Sequence, residues 1–125
     1  MEKDTVREKI DLILDAAFDS KATDSVLLKV GPISSVADYF FICSGSSSRQ
    51  VQAIAEKILE EVKKTGGFLP LGVEGKSRGH WVLIDYGDVI IHIFYKPVRE
   101  FYDLEGLWSE AETVQLDRPA AASDI

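Results

Sequence analysis

The stretch from His80 to Tyr95, HWVLIDYGDVIIHIFY, constrains the fold more than any other part of the chain. Apolar residues flank Gly87-Asp88, and glycine at the first of two central positions is typical of a tight β-hairpin. We therefore predict two antiparallel strands whose register puts three apolar pairs on one face of a sheet. These pairs are Tyr86–Val89, Ile84–Ile91 and Val82–Ile93. A wholly apolar face of this kind is expected to pack on helices.

The opposite face of the hairpin mixes large apolar groups with polar ones. Its predicted pairs are Trp81–Phe94, Leu83–His92 and Asp85–Ile90. One interpretation is ordinary core, covered by a further helix. The other is a partly wet surface on which Trp81 is an aromatic anchor for a protein partner. Strand alternation alone does not choose between them, and it also allows a hydrogen bond between Asp85 and His92.

The rest of the chain predicts one α/β domain over residues 1–114, with a mixed sheet and packed helices. Thr5 and Glu8 form a candidate capping box for a first helix over 5–20. The apolar run 39–43, YFFIC, predicts a central strand covered on both faces. The remaining predicted elements are a strand over 24–30, a helix over 47–65, a strand over 68–73 and a short helix and turn over 98–108. Residues 115–125 have little to bury, and we expect a disordered tail there.

Charge and composition restrict the classes of partner. The chain has 21 acidic and 14 basic residues and a net charge of −7. This balance disfavours a broad nucleic-acid surface, although Lys76 and Arg78 could form a local basic spot. It suits a basic protein partner, and it equally suits simple solubility. With one cysteine, Cys43, no apolar run long enough to span a membrane and no signal-peptide pattern, we expect a cytoplasmic protein without an internal disulfide.

The segment 45–49, Gly-Ser-Ser-Ser-Arg, is the sharpest enzymatic signal, because a helix N-terminus after a buried strand can bind phosphate. Nucleotidyltransferases carry a comparable turn, but they also need two adjacent carboxylates for metal ions. Asp85 and Asp88 are the nearest candidates, and the hairpin turn separates them. Helix capping explains the serines more simply. We therefore predict no catalytic residues, no metal and no cofactor.

Three segments together resemble the ribosomal silencing factor family, also called the Iojap family. They are DYFFICSGSSSRQVQAIA at 38–55, GHWVLIDYGDVIIHIF at 79–94 and REFYDLEGLW at 99–108. The similarity extends over about residues 5–110, and the order and spacing of the segments make it specific. The resemblance implies an α/β fold related to nucleotidyltransferases but lacking their catalytic carboxylates.

The resemblance also implies a function. Family members bind the large ribosomal subunit through ribosomal protein L-fourteen and sterically block joining of the small subunit, which represses translation. Organelle relatives act in large-subunit assembly, which is the main alternative, and a nucleotide-binding enzyme is a further one. Homodimers are common in the family and could use the same sheet face. Carried over to this sequence, the implied partner-binding residues are Lys76, Ser77, Arg78, Trp81, Leu83, Asp85, Tyr86 and His92, with Arg78 also expected near rRNA. Less strongly implied are Tyr102, Leu104 and Trp108, because YDLEGLW could simply seal the core.

Overall fold

Six strands form one mixed β-sheet in this protein. The structure, a computed structural model, describes the backbone of residues 2–116 and the side chains of residues 5–116. The strands are β1 (Thr23–Lys29), β2 (Tyr39–Gly45), β3 (Gly72–Glu74), β4 (Trp81–Asp85), β5 (Val89–Tyr95) and β6 (Glu112–Val114). Their order across the sheet is β3-β4-β5-β2-β1-β6. Strands β2 and β5 are parallel, and the other neighbouring pairs are antiparallel. The predicted α/β class with a mixed sheet is confirmed.

The hairpin of β4 and β5 has the predicted register. The pairs along its outer face are Trp81–Phe94, Leu83–His92 and Asp85–Ile90. At the turn, Tyr86 N donates to Val89 O at 2.9 Å, and Gly87 has a φ of +89°, which favours glycine. Strand β2 lies beside β5 and is buried at every position after its first, as its apolar run predicts.

The helices are α1 (Glu2–Asp19), α2 (Ser48–Gly66), α3 (Lys96–Tyr102) and α4 (Leu104–Leu107). Helix α2 forms because apolar residues repeat at helical spacing and give it one buried side; the buried residues are Val51, Ile54, Ala55, Ile58 and Val62. The helix ends at Gly67, which adopts a left-handed φ of +75°. Helix α3 follows β5 directly, because Pro97 cannot continue a strand ladder but suits the first turn of a helix.

The two faces of the sheet are covered unequally. Helices α1 and α2 pack on one face and bury the larger core, which includes the apolar hairpin pairs. On the other face lies a smaller apolar cluster. We call one part of this side of the sheet the aromatic face; it consists of Phe40, Trp81, Leu83, His92 and Phe94. The cover of the aromatic face comes from the α3–α4 segment, through Val98, Leu104 and Trp108. The apolar face of the hairpin therefore packs on helices, as predicted.

Arg99 fixes the α3–α4 segment against the sheet. Its Nη1 donates to Asp24 O at 2.8 Å and to Ser44 Oγ at 2.7 Å, while Nη2 lies 2.6 Å from Glu105 Oε2. The hydrogen bonds from Arg99 lower the pKa of the Glu105 carboxyl. A buried guanidinium with this many acceptors holds α3 and α4 in one position on β1 and β2.

Three predictions about elements need correction. Helix α1 begins at Glu2, so the capping box predicted at Thr5 is wrong. The predicted strand over 68–73 is shorter and later, because Phe68 packs against the helix-covered core and leaves the ladder to start at Gly72. Strand β6 was not predicted; it pairs with β1. In the predicted tail, Leu116 packs against the larger core, and residues 117–125 lie outside the described residues.

Two further properties bear on the class of protein. Cys43 is fully buried in β2, and this burial raises the pKa of its thiol to about 12, so the thiol is unreactive. Within residues 2–116, no helix has both the length and the apolar composition needed to cross a bilayer.

Candidate protein-binding face

A row of aromatic rings crosses the sheet on the aromatic face. Tyr102 lies 5.0 Å from Trp81, measured between ring centroids, and Trp81 lies 6.0 Å from His92. Phe40 continues the row at 5.1 Å from His92, and Trp108 ends it at 4.9 Å from Phe40. Strands β2, β4 and β5 place the inner rings, and the α3–α4 segment places the outer two. The row is therefore held by three strands and the α3–α4 segment rather than by one loop.

Exposure varies along the row. Phe40 and His92 are buried, and Phe94 lies beneath Trp81 with a centroid distance of 4.8 Å. Trp81 itself is only partly buried, and Tyr102 is 50% exposed. Trp81 thus packs on the core with one side and reaches solvent with the other, which combines the two interpretations left open by strand alternation.

The indole N–H of Trp81 is already used inside the protein. Nε1 donates to His92 Nδ1 at 3.1 Å. Burial lowers the pKa of His92 to about 4, so its imidazole is neutral near pH 7 and Nδ1 can accept. The pairing of Asp85 with His92 that the sequence allowed is replaced by a local bond, in which Asp85 Oδ1 accepts from Gly87 N at 2.7 Å.

The loop between β3 and β4 is anchored on α2. Gln52 Nε2 donates to Lys76 O at 3.0 Å and to Ser77 O at 2.9 Å, and the Lys76 ammonium pairs with Glu56. Gly79 closes the loop with a φ of +73°, and a Cβ there would lie 2.6 Å from Ser48 O. These contacts hold the loop next to Trp81, so the position of its remaining cation, Arg78, is set by the fold.

A cavity of about 470 Å³ opens between this loop and α3. That volume falls within the range of sites that accept a partner's side chains or a small ligand. The lining residues are Gly75, Arg78, His80, Trp81, Pro97, Val98, Phe101 and Tyr102. The walls are mostly aromatic and apolar, and the lining contains no carboxylate although the whole chain is acidic. The cavity therefore suits an apolar group from a protein partner, with Arg78 at its edge.

Most residues predicted for partner binding lie on the aromatic face or in the adjoining loop. These are Lys76, Ser77, Arg78, Trp81, Leu83, Asp85 and His92. Tyr86 is placed elsewhere: it lies under the helices, 5% exposed, and burial raises the pKa of its hydroxyl to about 12. His92 is equally buried, so it supports the face from beneath. Trp81 and Arg78 are the predicted residues that also line the cavity.

Sequence reasoning named Tyr102 of α3 but missed the rest of the cavity wall that this helix supplies. Phe101 is 81% exposed and forms a cavity wall with Pro97, Val98 and Tyr102. The signal was present in the spacing, because Pro97–Phe101 and Val98–Tyr102 are both i, i+4 pairs and share one side of a helix. Of the less strongly implied residues, Leu104 is buried and seals the core, whereas Tyr102 is exposed and contacts Trp81.

The Gly-Ser turn is used for capping, as predicted. Ser47 Oγ accepts from Gln50 N at 3.1 Å, and Gln50 Oε1 accepts from Ser46 N at 2.6 Å. These reciprocal bonds satisfy backbone donors at the start of α2. The two candidate carboxylates have separate partners: Asp88 pairs with Lys9 Nζ at 2.9 Å, and Asp85 Oδ1 accepts from Gly87 N. Within the described residues, no three His, Cys, Asp or Glu side chains are grouped to hold a metal ion.

Comparison with known proteins identifies relatives along almost the whole chain. The profile of the family described as "ribosomal silencing factor during starvation" matches residues 3–124. A ribosomal silencing factor of Halalkalibacterium halodurans is 44% identical over 111 residues, which is 89% of this chain and 94% of that protein. The mouse protein named mitochondrial assembly of ribosomal large subunit protein 1 is 31% identical over 80% of this chain and 45% of its own length.

The fold has solved counterparts as well. A crystal structure of a protein from Chromobacterium violaceum superposes with a TM-score of 0.80 at 33% identity, covering 93% of this chain and 95% of that one. The resemblance seen in the sequence is thus confirmed by the profile, by a close relative and by the fold. The chain belongs to the ribosomal silencing factor family.

Proposed function

We propose that this protein is a translational repressor that binds the large ribosomal subunit through ribosomal protein L-fourteen and thereby blocks joining of the small subunit. The observation that carries the proposal is the cavity wall at Trp81, a partly exposed aromatic ring on a sheet face that α1 and α2 leave open. Rings held in this way dominate the binding energy of protein interfaces, because little conformational entropy is lost when they are covered.

The proposed action is steric exclusion and needs no chemical step. The bound protein occupies the face of the large subunit that meets the small subunit, in the cytoplasm, and keeps the two apart. A net charge of −7 favours approach to a basic ribosomal protein and opposes broad contact with rRNA. Arg78, exposed at the edge of the cavity, is the residue suited to a minor rRNA contact.

Two other activities are less well supported. Large-subunit assembly is favoured by the name of the mouse relative, and it predicts enrichment on precursor rather than mature subunits. Nucleotide handling would need the Gly-Ser turn, whose Ser47 and Gln50 groups are engaged in capping α2. A homodimer through the aromatic face is a further proposal; it would hide the same cavity and so compete with the ribosome.

Two substitutions in the cavity test the surface. Trp81→Ala removes the anchor and is expected to weaken binding to purified large subunits by about 2 kcal/mol, roughly 30-fold. Arg78→Glu changes an exposed side chain, so it reports on the interface without a cost to folding, and we expect at least a tenfold loss on the scale of charged rim contacts. Leu71→Ala is the matched control, because Leu71 is 77% exposed and lies beside the hairpin turn, at the other end of β4.

Affinity for purified large subunits, measured by biolayer interferometry, tests whether the aromatic face is the binding surface. Loss of affinity in both cavity variants, with the control unchanged, supports the proposed surface. Unchanged binding by folded Trp81→Ala and Arg78→Glu would remove the aromatic face from the interface.

A further inference from the structure

The hydrogen bond between Trp81 and His92 joins neighbouring strands of the hairpin. His92 faces Leu83 across β4 and β5, so Trp81 is its diagonal neighbour, and Trp81 Nε1 donates to Nδ1 at 3.1 Å. The bond restrains rotation of the indole about its side-chain torsions. A large ring that would otherwise be held only by packing on Phe94 is therefore fixed in direction as well.

A histidine at position 92 is not what the stability of the core alone would favour. It is 5% exposed and surrounded by Phe40, Phe94 and Trp81. Because Nδ1 accepts a hydrogen bond, the proton of the neutral ring is on Nε2. That Nε2 has no hydrogen-bond partner among the described residues and is buried. A buried donor without a partner is costly, so an apolar side chain would serve the core better, and the reason for an imidazole is its other nitrogen.

The bond also limits what a partner can recognise. Indole has a single donor, Nε1–H, and no acceptor nitrogen. Since His92 takes that donor, Trp81 offers a partner only the surface of its ring, next to Tyr102 in the cavity wall. A partner therefore makes apolar or stacking contact with Trp81 rather than a hydrogen bond.

We propose that His92 is a positioning residue, which holds the Trp81 indole in the one orientation that the partner binds. The inference rests on the proposed function, because it assumes that Trp81 contacts the large subunit. His92 itself does not touch the partner. It acts through Nδ1, and its effect on binding passes through the direction and the restricted motion of the Trp81 ring.

The test compares two variants that differ in their ability to accept a hydrogen bond. His92→Phe keeps a planar ring and removes the acceptor, whereas His92→Gln supplies an amide oxygen. Ile90→Ala is the control: Ile90 is buried on the same side of β5, two positions away, and its truncation damages the core without touching the bond. Each variant is examined for the indole N–H signal of Trp81 in a ¹H–¹⁵N spectrum, assigned with Trp108→Phe, and for affinity toward purified large subunits.

We expect His92→Phe to shift the Trp81 indole N–H signal upfield and to weaken binding roughly tenfold, the loss of about one hydrogen bond's contribution. His92→Gln should restore affinity to within about threefold of the parent, and Ile90→Ala should leave both the signal and the affinity unchanged. An indole signal that does not move in His92→Phe would overturn the proposal. The proposal would also be overturned if His92→Phe moves the signal but keeps full affinity while Trp81→Ala loses binding. In that case the proposed function stands. Undiminished binding by Trp81→Ala would overturn both.

Discussion

Lowering the pH from 7 to 4 should reduce the free energy of unfolding through His92, by about 3 kcal/mol. Burial lowers the pKa of this imidazole from 6.5 to about 4 in the folded protein. Between these two values the unfolded chain binds a proton that the folded protein does not. Stability therefore rises with pH in this window: the effect is absent above pH 6.5 and grows as the pH falls toward the folded pKa. At about 1.4 kcal/mol for each unit between the two pKa values, the full effect is roughly 3.4 kcal/mol. About 3 kcal/mol of it is reached at pH 4, because the folded imidazole is half protonated there.

The assay is urea unfolding followed by far-ultraviolet circular dichroism at several pH values between 7 and 4. Carboxylates such as Glu105, whose pKa is lowered in the folded state, also lose their stabilising effect on acidification. The pH dependence of the free energy of unfolding is therefore compared between the parent and His92→Gln, which lacks this imidazole. His80→Gln is the matched control, because His80 is the other histidine and its side chain is exposed.

The expected result is a steep loss of stability in the parent and in His80→Gln, and a shallower loss in His92→Gln. Equal slopes in the parent and in His92→Gln would refute the reasoning, because they would show that His92 titrates alike in the folded and unfolded chains. A shallower loss of stability with falling pH in His80→Gln would show that the effect comes from His80 and not from His92.

Three other predictions concern the scaffold and the anchor. Arg99→Met leaves the Glu105 carboxylate partly buried without its cation, so thermal or urea unfolding should show a loss of about 3 kcal/mol; a loss below about 1 kcal/mol would contradict the role given to this ion pair. Ser47→Ala removes the acceptor for Gln50 N at the start of α2 and should cost about 1 kcal/mol by the same measurement, whereas a neutral effect would mean that the cap is dispensable. Trp81→Phe keeps an aromatic ring but loses the N–H that bonds to His92, so large-subunit affinity should fall roughly tenfold, as in His92→Phe, and less than in Trp81→Ala; losses equal to those of Trp81→Ala would argue against recognition of the ring surface.

The central elements could be predicted because local patterns and long-range packing agree there. The hairpin register follows from strict alternation around a glycine turn, and α2 follows from an apolar stripe between a serine cap and Gly67. The apolar run that became β2 could only be a central strand. In each case burial of one face leaves a single register that keeps apolar groups out of water.

The edges of the sheet could not be predicted in the same way. Strands β3 and β6 have three residues each and are mostly exposed, so they carry no alternation that distinguishes them from loops. Their limits are set by the neighbouring strand that they pair with, which lies far away in sequence. The sequence also did not show what covers the aromatic face, for a related reason. Helix α3 is short, and its position is fixed by Arg99 rather than by an apolar stripe.

The candidate site was also predicted in part. Strand alternation placed Trp81 and His92 on one face and Tyr86 on the other, and the structure agrees with it. Tyr86 was nevertheless expected in the partner-binding set because of the family resemblance, and its burial argues for leaving it out. The hydrogen bond between Trp81 and His92 was not predicted, because alternation gives the face of a residue but not the direction of its ring.

Subunit joining in the presence of this protein is the most direct test of the central claim. Purified large and small ribosomal subunits are mixed under joining conditions with increasing amounts of the protein, and the products are separated by sedimentation. The account predicts that the protein migrates with the large subunit and that the joined-ribosome peak declines in proportion, while Trp81→Ala does neither. Migration with the large subunit at saturating protein, with the joined peak intact, would contradict steric exclusion; absence of the protein from the large-subunit fraction would contradict the ribosomal role itself.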